Sequence, residues 1–394
     1  MTREVVFVGA ARTAIGTYGG SLKDIPPAQL GALVIKTALE RAGVAAKDVG
    51  HVVVGNVIPS VPQDAYISRV AALEAGVPQE APAFNVNRLC GSGLQAIVSA
   101  AQAILLGDCD IAIGAGAESM SRAAYLVTSN RWGARMGDVK MLDYMLGALH
   151  DPRLNIHMGI TAENVAARYD ITRAQQDTYS VQSQQRAAKA IAAGVFKDQI
   201  VPVELKTRKG VVLFDTDEGV KADTNVEALG QMKPAFKKDN GTVTAGNAST
   251  LNDGAGAVVM ASADKAKALG LKPLARLVSY AHAGVDPEYM GIGPVPASRL
   301  ALEKAGLKVS DLDLIEANEA FAAQACAVAK ELGLPDDKTN PNGSGLSLGH
   351  PIGATGAILV TKAIYELHRI KGRYALITMC IGGGQGISMV IERV

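Results

Sequence analysis

The feature that most narrows what this chain can fold into is that it repeats itself. The stretch Ala38-Leu39-Glu40-Arg41-Ala42-Gly43-Val44, followed by Lys47-Asp48-Val49, returns as Ala301-Leu302-Glu303-Lys304-Ala305-Gly306-Leu307, followed by Ser310-Asp311-Leu312, at an offset of 263 positions. Each copy reads as an apolar-periodic helix stopped by a glycine, then an apolar strand, His51 to Val54 in one and Asp313 to Ile315 in the other. A second match lies at an offset near 260. Cys90-Gly91-Ser92-Gly93 opens a helix with apolar positions through Leu105, followed by the strand Ile111 to Ile113 and the glycines Gly114 and Gly116. His350-Pro351-Ile352-Gly353-Ala354-Thr355-Gly356 opens its counterpart, followed by the strand Tyr374 to Thr378 and the glycines Gly382 to Gly384. The terminal strands Gly254 to Met260 and Gly386 to Ile391 also correspond. Two similar α/β halves follow, each expected to be a mostly parallel sheet with helices on its faces. Residues 120–248 have no counterpart and read as an insert in the first half, holding the only Trp, Trp132, and a Gln-rich helix around Gln175 to Gln185. Long excursions of this kind serve as lids, binding walls or oligomer contacts.

Composition supports a folded chain of this size. Of 394 residues, 48% are apolar and 20% charged, which excludes a disordered or fibrous chain. Lys plus Arg is 39 against Asp plus Glu 38, so the balance offers nothing to nucleic acid or an anionic membrane. No uninterrupted apolar run reaches the roughly 18 residues of a membrane span, and the start Met1-Thr2-Arg3-Glu4 has no apolar signal core. A cytoplasmic location is expected. There are 42 glycines but only 6 Phe, 10 Tyr and 1 Trp, so helix and sheet must pack closely on Ala, Val, Ile and Leu, and bare backbone must approach something.

Chemistry gathers at the ends of the repeated units. Cys90 precedes a helix whose N-terminus favours a thiolate over a thiol. Cys380 ends a strand, where ligand sites collect in parallel sheets, and Gly382-Gly383-Gly384 beside it can offer N–H groups to an oxyanion. His350 and Asn318 end two further units. Two thiols, an imidazole and an amide on one side of related sheets read as an assembled site. Cys90, Cys109, Cys326 and Cys380 are widely spaced and the six histidines scattered, so no metal site is expected. Gly114 and Gly116 lack the third glycine of a dinucleotide fingerprint, and no phosphate-binding loop is present.

Asn87-Arg88-Leu89-Cys90-Gly91-Ser92-Gly93, Asn318-Glu319-Ala320-Phe321-Ala322, Gly349-His350-Pro351-Ile352-Gly353-Ala354-Thr355-Gly356 and Cys380-Ile381-Gly382-Gly383-Gly384-Gln385-Gly386 resemble the four signature blocks of the thiolase family. The likeness runs from Arg12-Thr13-Ala14-Ile15-Gly16 to the C-terminus and is strongest to the bacterial biosynthetic type, acetyl-CoA C-acetyltransferase or β-ketothiolase. It implies an α/β fold of duplicated halves in five layers, αβαβα, with an inserted loop domain. The corresponding limits are 1–119 with 249–270 for the N-terminal half, 120–248 for the insert and 271–394 for the C-terminal half. A homotetramer, a dimer of dimers, is implied as well.

The resemblance also implies roles. Cys90 matches the nucleophile, His350 the imidazole that activates it, and Cys380 the acid/base for the α-proton, a task suited to a group with a reference pKa near 8.5. Asn318 matches the holder of a water that completes the enolate oxyanion hole with His350; the N–H groups of Cys90 and Gly382 match the hole for the tetrahedral intermediate. His157, Met158, Ala245 and Ser249 match the pantetheine channel, and Leu149, Phe236, Met290 and Phe321 the walls around the acyl group. Lys221 stands near the adenine end where many members have Arg, and Thr250 where Gly is usual. The implied substrates are acetyl-CoA and other acyl-CoA thioesters, with no permanently bound cofactor. The implied reaction is a reversible ping-pong Claisen condensation to a 3-ketoacyl-CoA, in fatty acid metabolism or polyhydroxyalkanoate precursor synthesis. Two rivals are a decarboxylating ketoacyl synthase, against which the cysteine at 380 argues, and a silent acyl-CoA-binding relative, against which all four blocks argue.

Overall fold

Helices and strands fall where the repeat puts them. The computed structural model describes residues 3–394, so Met1 and Thr2 of the polar start lie outside the described residues. The first half runs through β1 (Val5–Arg12), α1 (Pro27–Ala42), β2 (His51–Gly55), α2 (Ile67–Glu74), β3 (Ala83–Val86), α3 (Ser92–Leu106) and β4 (Ile111–Ser119). The insert carries α4 (Met158–Arg168) and α5 (Arg173–Ala192), and β5 (Asn252–Ser262) then returns to the first half. The second half comprises β6 (Ala275–Gly284), α6 (Pro294–Ala305), β7 (Leu314–Ala317), α7 (Ala322–Leu332), α8 (Thr355–Ile370), β8 (Tyr374–Ile381) and β9 (Gln385–Arg393). The first residues of β2 and β7, of α3 and α8, and of β4 and β8 are each 263 positions apart. Both α1 and α6 stop on a left-handed glycine, Gly43 and Gly306, at the same φ of 66°.

The strands lie in the order β7-β8-β9-β6-β1-β5-β4-β2-β3, joined at the centre by a short β1–β6 pairing, Val6 to Arg276 and Phe7 to Ala275. Parallel pairing is confined to the flanks, β7–β8 and β4–β2–β3. The long β5 and β9 run antiparallel to both neighbours. The expected mostly parallel sheets are therefore mixed, for a local reason: a tight turn through Gly383 and Gly384, both at φ 78°, joins β8 directly to β9. A turn that short closes only antiparallel strands. At the equivalent place in the first half, between β4 and β5, the chain leaves to build the insert.

Alternating side chains on the strands feed different cores. Val6, Val8, Val52 and Val54 face out onto Leu30, Val34 and Ile35 of α1. Phe7, Val53, Val258, Ile377, Met379 and Ile391 face in, onto α3 and α8, which run between the two half-sheets. Leu376 and Val390 face out again, onto Leu302 of α6. The order is thus helices, sheet, helices, sheet, helices. The segment Leu89–Leu106 is long and apolar enough to span a bilayer, but here it is the buried central helix.

α3 and α8 cross on glycine. A Cβ on Gly93 would stand 2.8 Å from the Ala357 nitrogen, and one on Gly356 only 2.2 Å from the Leu94 nitrogen. This close approach brings the two helix N-termini together. The insert is pinned to both halves: Asp217 takes a bidentate ion pair from the fully buried Arg12 of β1 and accepts from the N–H of Ile15, and α4 and α5 pack on α7.

Candidate active site

Cys90 sits on the turn into α3, immediately after Leu89, a non-glycine residue held at φ 45°. Ser92 locks that turn: its Oγ accepts from the Arg88 N–H at 2.9 Å and donates to the Leu89 carbonyl at 2.7 Å. The turn places the Cys90 sulfur where the N–H of Gly382 and its own N–H both stabilise a thiolate. These two donors, expected as an oxyanion hole, meet at the Cys90 sulfur. The expectation of a depressed thiol pKa is corrected. Burial, with a smaller push from the Glu118 carboxyl, raises it to about 11 against the pull of the two N–H groups. Desolvation outweighs the helix terminus.

His350 is buried at the start of the turn leading to α8. Its N–H donates to Asn252 Oδ1 at 2.8 Å, and its Nδ1 lies 2.7 Å from Thr355 Oγ1. Thr355 spends its one hydrogen on the Pro351 carbonyl, 2.9 Å away, so Oγ1 accepts from Nδ1–H. That fixes the tautomer and leaves Nε2 with a free lone pair. Burial lowers the imidazole pKa to about 4, so the ring rests neutral. The Asn318 amide nitrogen lies 3.4 Å from each ring nitrogen, and the Asn318 N–H is held by the Thr378 carbonyl of β8 at 2.9 Å.

Cys380 lies inside the end of β8, paired with Gly386 of β9 and fully buried. Burial and the nearby Cys90 push its thiol well above the ordinary value, so it is no base poised near neutrality in the free enzyme. The three glycines after it divide their work. The N–H of Gly382 acts on the Cys90 thiol, whereas Gly383 and Gly384 form the turn.

The expected pocket walls converge. Met158, Met290 and Phe321 pack in one cluster with Cys380, with Phe236 against it. Leu149 packs with Leu89 and Cys90 beside Met120, Met145 and Ile352. His157 stacks on Phe236 with centroids 4.7 Å apart, and its Nδ1 caps α4 by accepting from Gly159 N–H at 2.9 Å. Burial lowers its pKa to about 4, so it too is neutral. Ser249 is fixed through its N–H to the Ala320 carbonyl at 2.9 Å. Ala245 and Lys221 are exposed; the Lys221 backbone is tied to Gln184, and among the described residues its side chain makes no hydrogen bond or ion pair to the other site residues.

Three participants escaped the sequence reading. Glu118, fully buried, collects the N–H groups of Val57, Ile58 and Gly353 and the Asn56 amide, tying the loop before His350's helix to β4. Asn252 and Thr355 orient the imidazole. Thr250 donates to the same Asn252 oxygen at 2.9 Å, so this departure from the family pattern is two hydrogen bonds from His350. A hydroxyl five residues after His350 was visible in the sequence; a carboxylate 232 residues before it was not. Among the described residues no three His, Cys, Asp or Glu side chains group as a metal site, and the four cysteines are unpaired.

The chain matches two family models, "Thiolase, N-terminal domain" over residues 5–264 and "Thiolase, C-terminal domain" over 271–393. It is 68% identical over 394 residues to the beta-ketothiolase BktB of Cupriavidus necator, covering 100% of both chains. It is 50% identical to the acetyl-CoA acetyltransferase of Syntrophomonas wolfei, again over 100% of each. Among solved structures, human mitochondrial 3-ketoacyl-CoA thiolase superposes with a TM-score of 0.97 at 45% identity, covering 100% of this chain and 99% of that one. The Bacillus anthracis acetyl-CoA acetyltransferase gives 0.97 at 46% identity with the same coverage.

Proposed function

The chain belongs to the thiolase family, and from that premise we propose how its own residues divide the reaction. It is an acyltransferase that acts on CoA thioesters by Claisen condensation of acetyl-CoA. The observation that carries the reading of the site is the convergence of the Cys90 and Gly382 N–H groups on the Cys90 sulfur.

A thioester carbonyl placed there has its oxygen between two N–H donors, a contact that strengthens as the oxygen becomes anionic. One such donor is typically worth roughly 3–4 kcal/mol of barrier. Cys90 and His350 start neutral. The imidazole accepts the thiol proton at Nε2 as sulfur attacks, so no charge is buried before it is needed. The departing CoA sulfur takes its proton from Cys380. Acylation thereby leaves imidazolium at His350 and thiolate at Cys380, which the free enzyme disfavours at both places. In the second half-reaction the Cys380 thiolate removes the α-proton of a bound acetyl-CoA, and the enolate oxygen lies towards His350 and Asn318. The enolate carbon attacks the acyl group on Cys90. Collapse of the tetrahedral intermediate releases the Cys90 sulfur, which recovers the proton held by His350. Protons and charge balance, and the raised Cys380 pKa acts in opposite senses on the two steps: it makes the thiol a reluctant acid in the first and its thiolate a strong base in the second.

The proposal extends to binding and assembly. His157, Met158 and Ser249 line the pantetheine arm, Ala245 and Lys221 lie further out, and Leu149, Phe236, Met290 and Phe321 set the acyl pocket. A homotetramer is supported by the hairpin arm around Tyr125–Leu126 and Leu142–Asp143, on which Trp132 is 89% and Met136 96% exposed. We place the enzyme in the cytoplasm, supplying or cleaving 3-ketoacyl-CoA for fatty acid metabolism or polyhydroxyalkanoate precursors. The deciding experiment supplies radiolabelled acetyl-CoA alone. The native protein takes up one acetyl group on Cys90; a Cys90→Ser variant retaining full label and turnover would sink the mechanism.

A further inference from the structure

Behind the site, on the side away from the thiols, lies a group of polar atoms that the mechanism above leaves unused. Five buried side-chain polar atoms lack a partner among the described residues, and three of them belong to Glu316, Asn318 and Ser344. Glu316 and Asn318 are two positions apart at the end of β7 and so share a face. Glu316 is paired with Lys362 of α8, Oε2 to Nζ 2.7 Å, and both side chains are at least 98% buried. Lys362 gives a second hydrogen to the Gly343 carbonyl at 2.7 Å, which leaves its third N–H unassigned.

Between Lys362, Asn318 and Ser344 is a small cavity with about 10 Å³ of room for the centre of a water molecule. That is the space of about one water. Its walls are buried, and they include Gly345, against which the Asn318 Oδ1 atom rests. Neither Cys90 nor Cys380 lines it, so it is not the acyl pocket. Thr355, the residue that sets the His350 tautomer, lines the same space.

We propose that Lys362, held by Glu316, is the positioning residue for Asn318, and that it acts through one ordered water in this cavity. The water accepts the third Lys362 N–H and donates to Asn318 Oδ1 and Ser344 Oγ. With its oxygen held from behind, the amide can present only its NH₂ to the front, where it meets the His350 ring. A primary amide rotates about a broad two-fold torsion, and without the rear contact both orientations are open. The flipped one aims a carbonyl oxygen at the place where the enolate charge develops. An ion pair on α8 thus sets the polarity of a donor at the end of β7.

This inference rests on the thiolase reading and deepens it, and its test separates the two. Acylation of Cys90 uses His350 and the Gly382 N–H but not Asn318, whereas exchange of the acetyl α-protons with D₂O needs the enolate hole. In Lys362→Met, acyl-enzyme formation from acetyl-CoA is expected to stay within about twofold of wild type while α-proton exchange and condensation fall about 10²-fold, the usual scale for a misplaced group. In an Asn318→Ala background the same change is expected to add nothing. Equal loss of both half-reactions, or a full further loss on top of Asn318→Ala, would overturn the proposal. Because Lys362→Met strands the Glu316 carboxylate and can impair folding, Ser344→Ala provides a second arm: the ion pair stays, one partner of the water goes, and exchange is expected to drop about 10-fold. Unchanged exchange in Ser344→Ala would also overturn it. A wild-type protein that forms no acyl-enzyme at all sinks the thiolase mechanism instead.

Discussion

Changing Gly356 to Ala adds one methyl group where two helices touch, and the structure sets its cost. The new Cβ would lie 2.2 Å from the Leu94 nitrogen, against the 3.4 Å at which such contacts become ordinary, a shortfall of 1.2 Å against backbone that cannot rotate away. α8 and α3 must separate by about that distance. Overpacking of a dense core typically costs about 1–3 kcal/mol, and a backbone clash belongs at the upper end. Replacing a helical glycine by alanine returns about 1 kcal/mol of propensity. The net loss expected is about 2 kcal/mol. The kinetic effect should be larger than the thermodynamic one, since the helices carry Cys90 and His350 at their entrances and a misplacement of about 1 Å can cost about 10²-fold in rate. Gly270→Ala is the matched control: it has φ +64° and open space around it, so it pays only backbone strain, about 1 kcal/mol, far from the chemistry. Denaturant titration with acylation kinetics on both variants tests the reasoning. A Gly356→Ala enzyme with native stability and native acylation rate would refute it, as would equal kinetic damage in Gly270→Ala.

Cys380→Ser should slow acyl-enzyme formation from acetyl-CoA only modestly, because the CoA sulfur can leave as a thiolate without the Cys380 proton, yet lose condensation and α-proton exchange by at least about 10³-fold, because a serine hydroxyl is a far weaker acid and base; equal loss of both half-reactions would remove the base assignment. The Cys90 thiol, raised to about 11, predicts slow alkylation by iodoacetamide at pH 7, rising about tenfold per pH unit up to pH 10 when followed on the Cys90 peptide. A plateau with a midpoint near or below 7 would instead mean a resting thiolate–imidazolium pair. With His350 at about 4, the acylation rate should fall on acidification only as pH approaches that value, where protonation removes the lone pair that accepts the thiol proton. A loss centred near 6.5 would contradict the burial of that ring.

The sequence showed the frame more readily than the settings of its groups. Helix stops at Gly43 and Gly306, and reactive residues before two matched helices, are local signals written in adjacent residues. Strand direction was not, because β5 and β9 take their sense from a turn and an insert, neither of which leaves an alternating pattern. The placing of Cys90, His350, Asn318 and Cys380 at the ends of their elements was legible from their neighbours, but their protonation was not. A helix N-terminus can be read from sequence; the desolvation that overrides it at Cys90 depends on Met145, Ile352 and other residues far along the chain. For the same reason the Glu118 clamp and the Lys362–Glu316 pair stayed hidden: each joins elements whose proximity only the fold creates.

The offset of 263 has a last consequence, for it names each reactive residue's opposite number. Cys90 answers to Gly353, Asn318 to Gly55, Cys380 to Ala117 and His350 to Asn87. No reactive group faces its own twin. Where one half places a thiol or an amide, the other keeps little or no side chain, and those bare positions are where other groups close in: a Cβ on Gly353 would strike the Glu118 carboxylate at 2.5 Å, and one on Gly55 the backbone at the start of α3 at 2.5 Å. The frame is two-fold and the chemistry is not. The two copies differ at these positions, and copying a residue from one half into its mate would fill the space that lets the other half work.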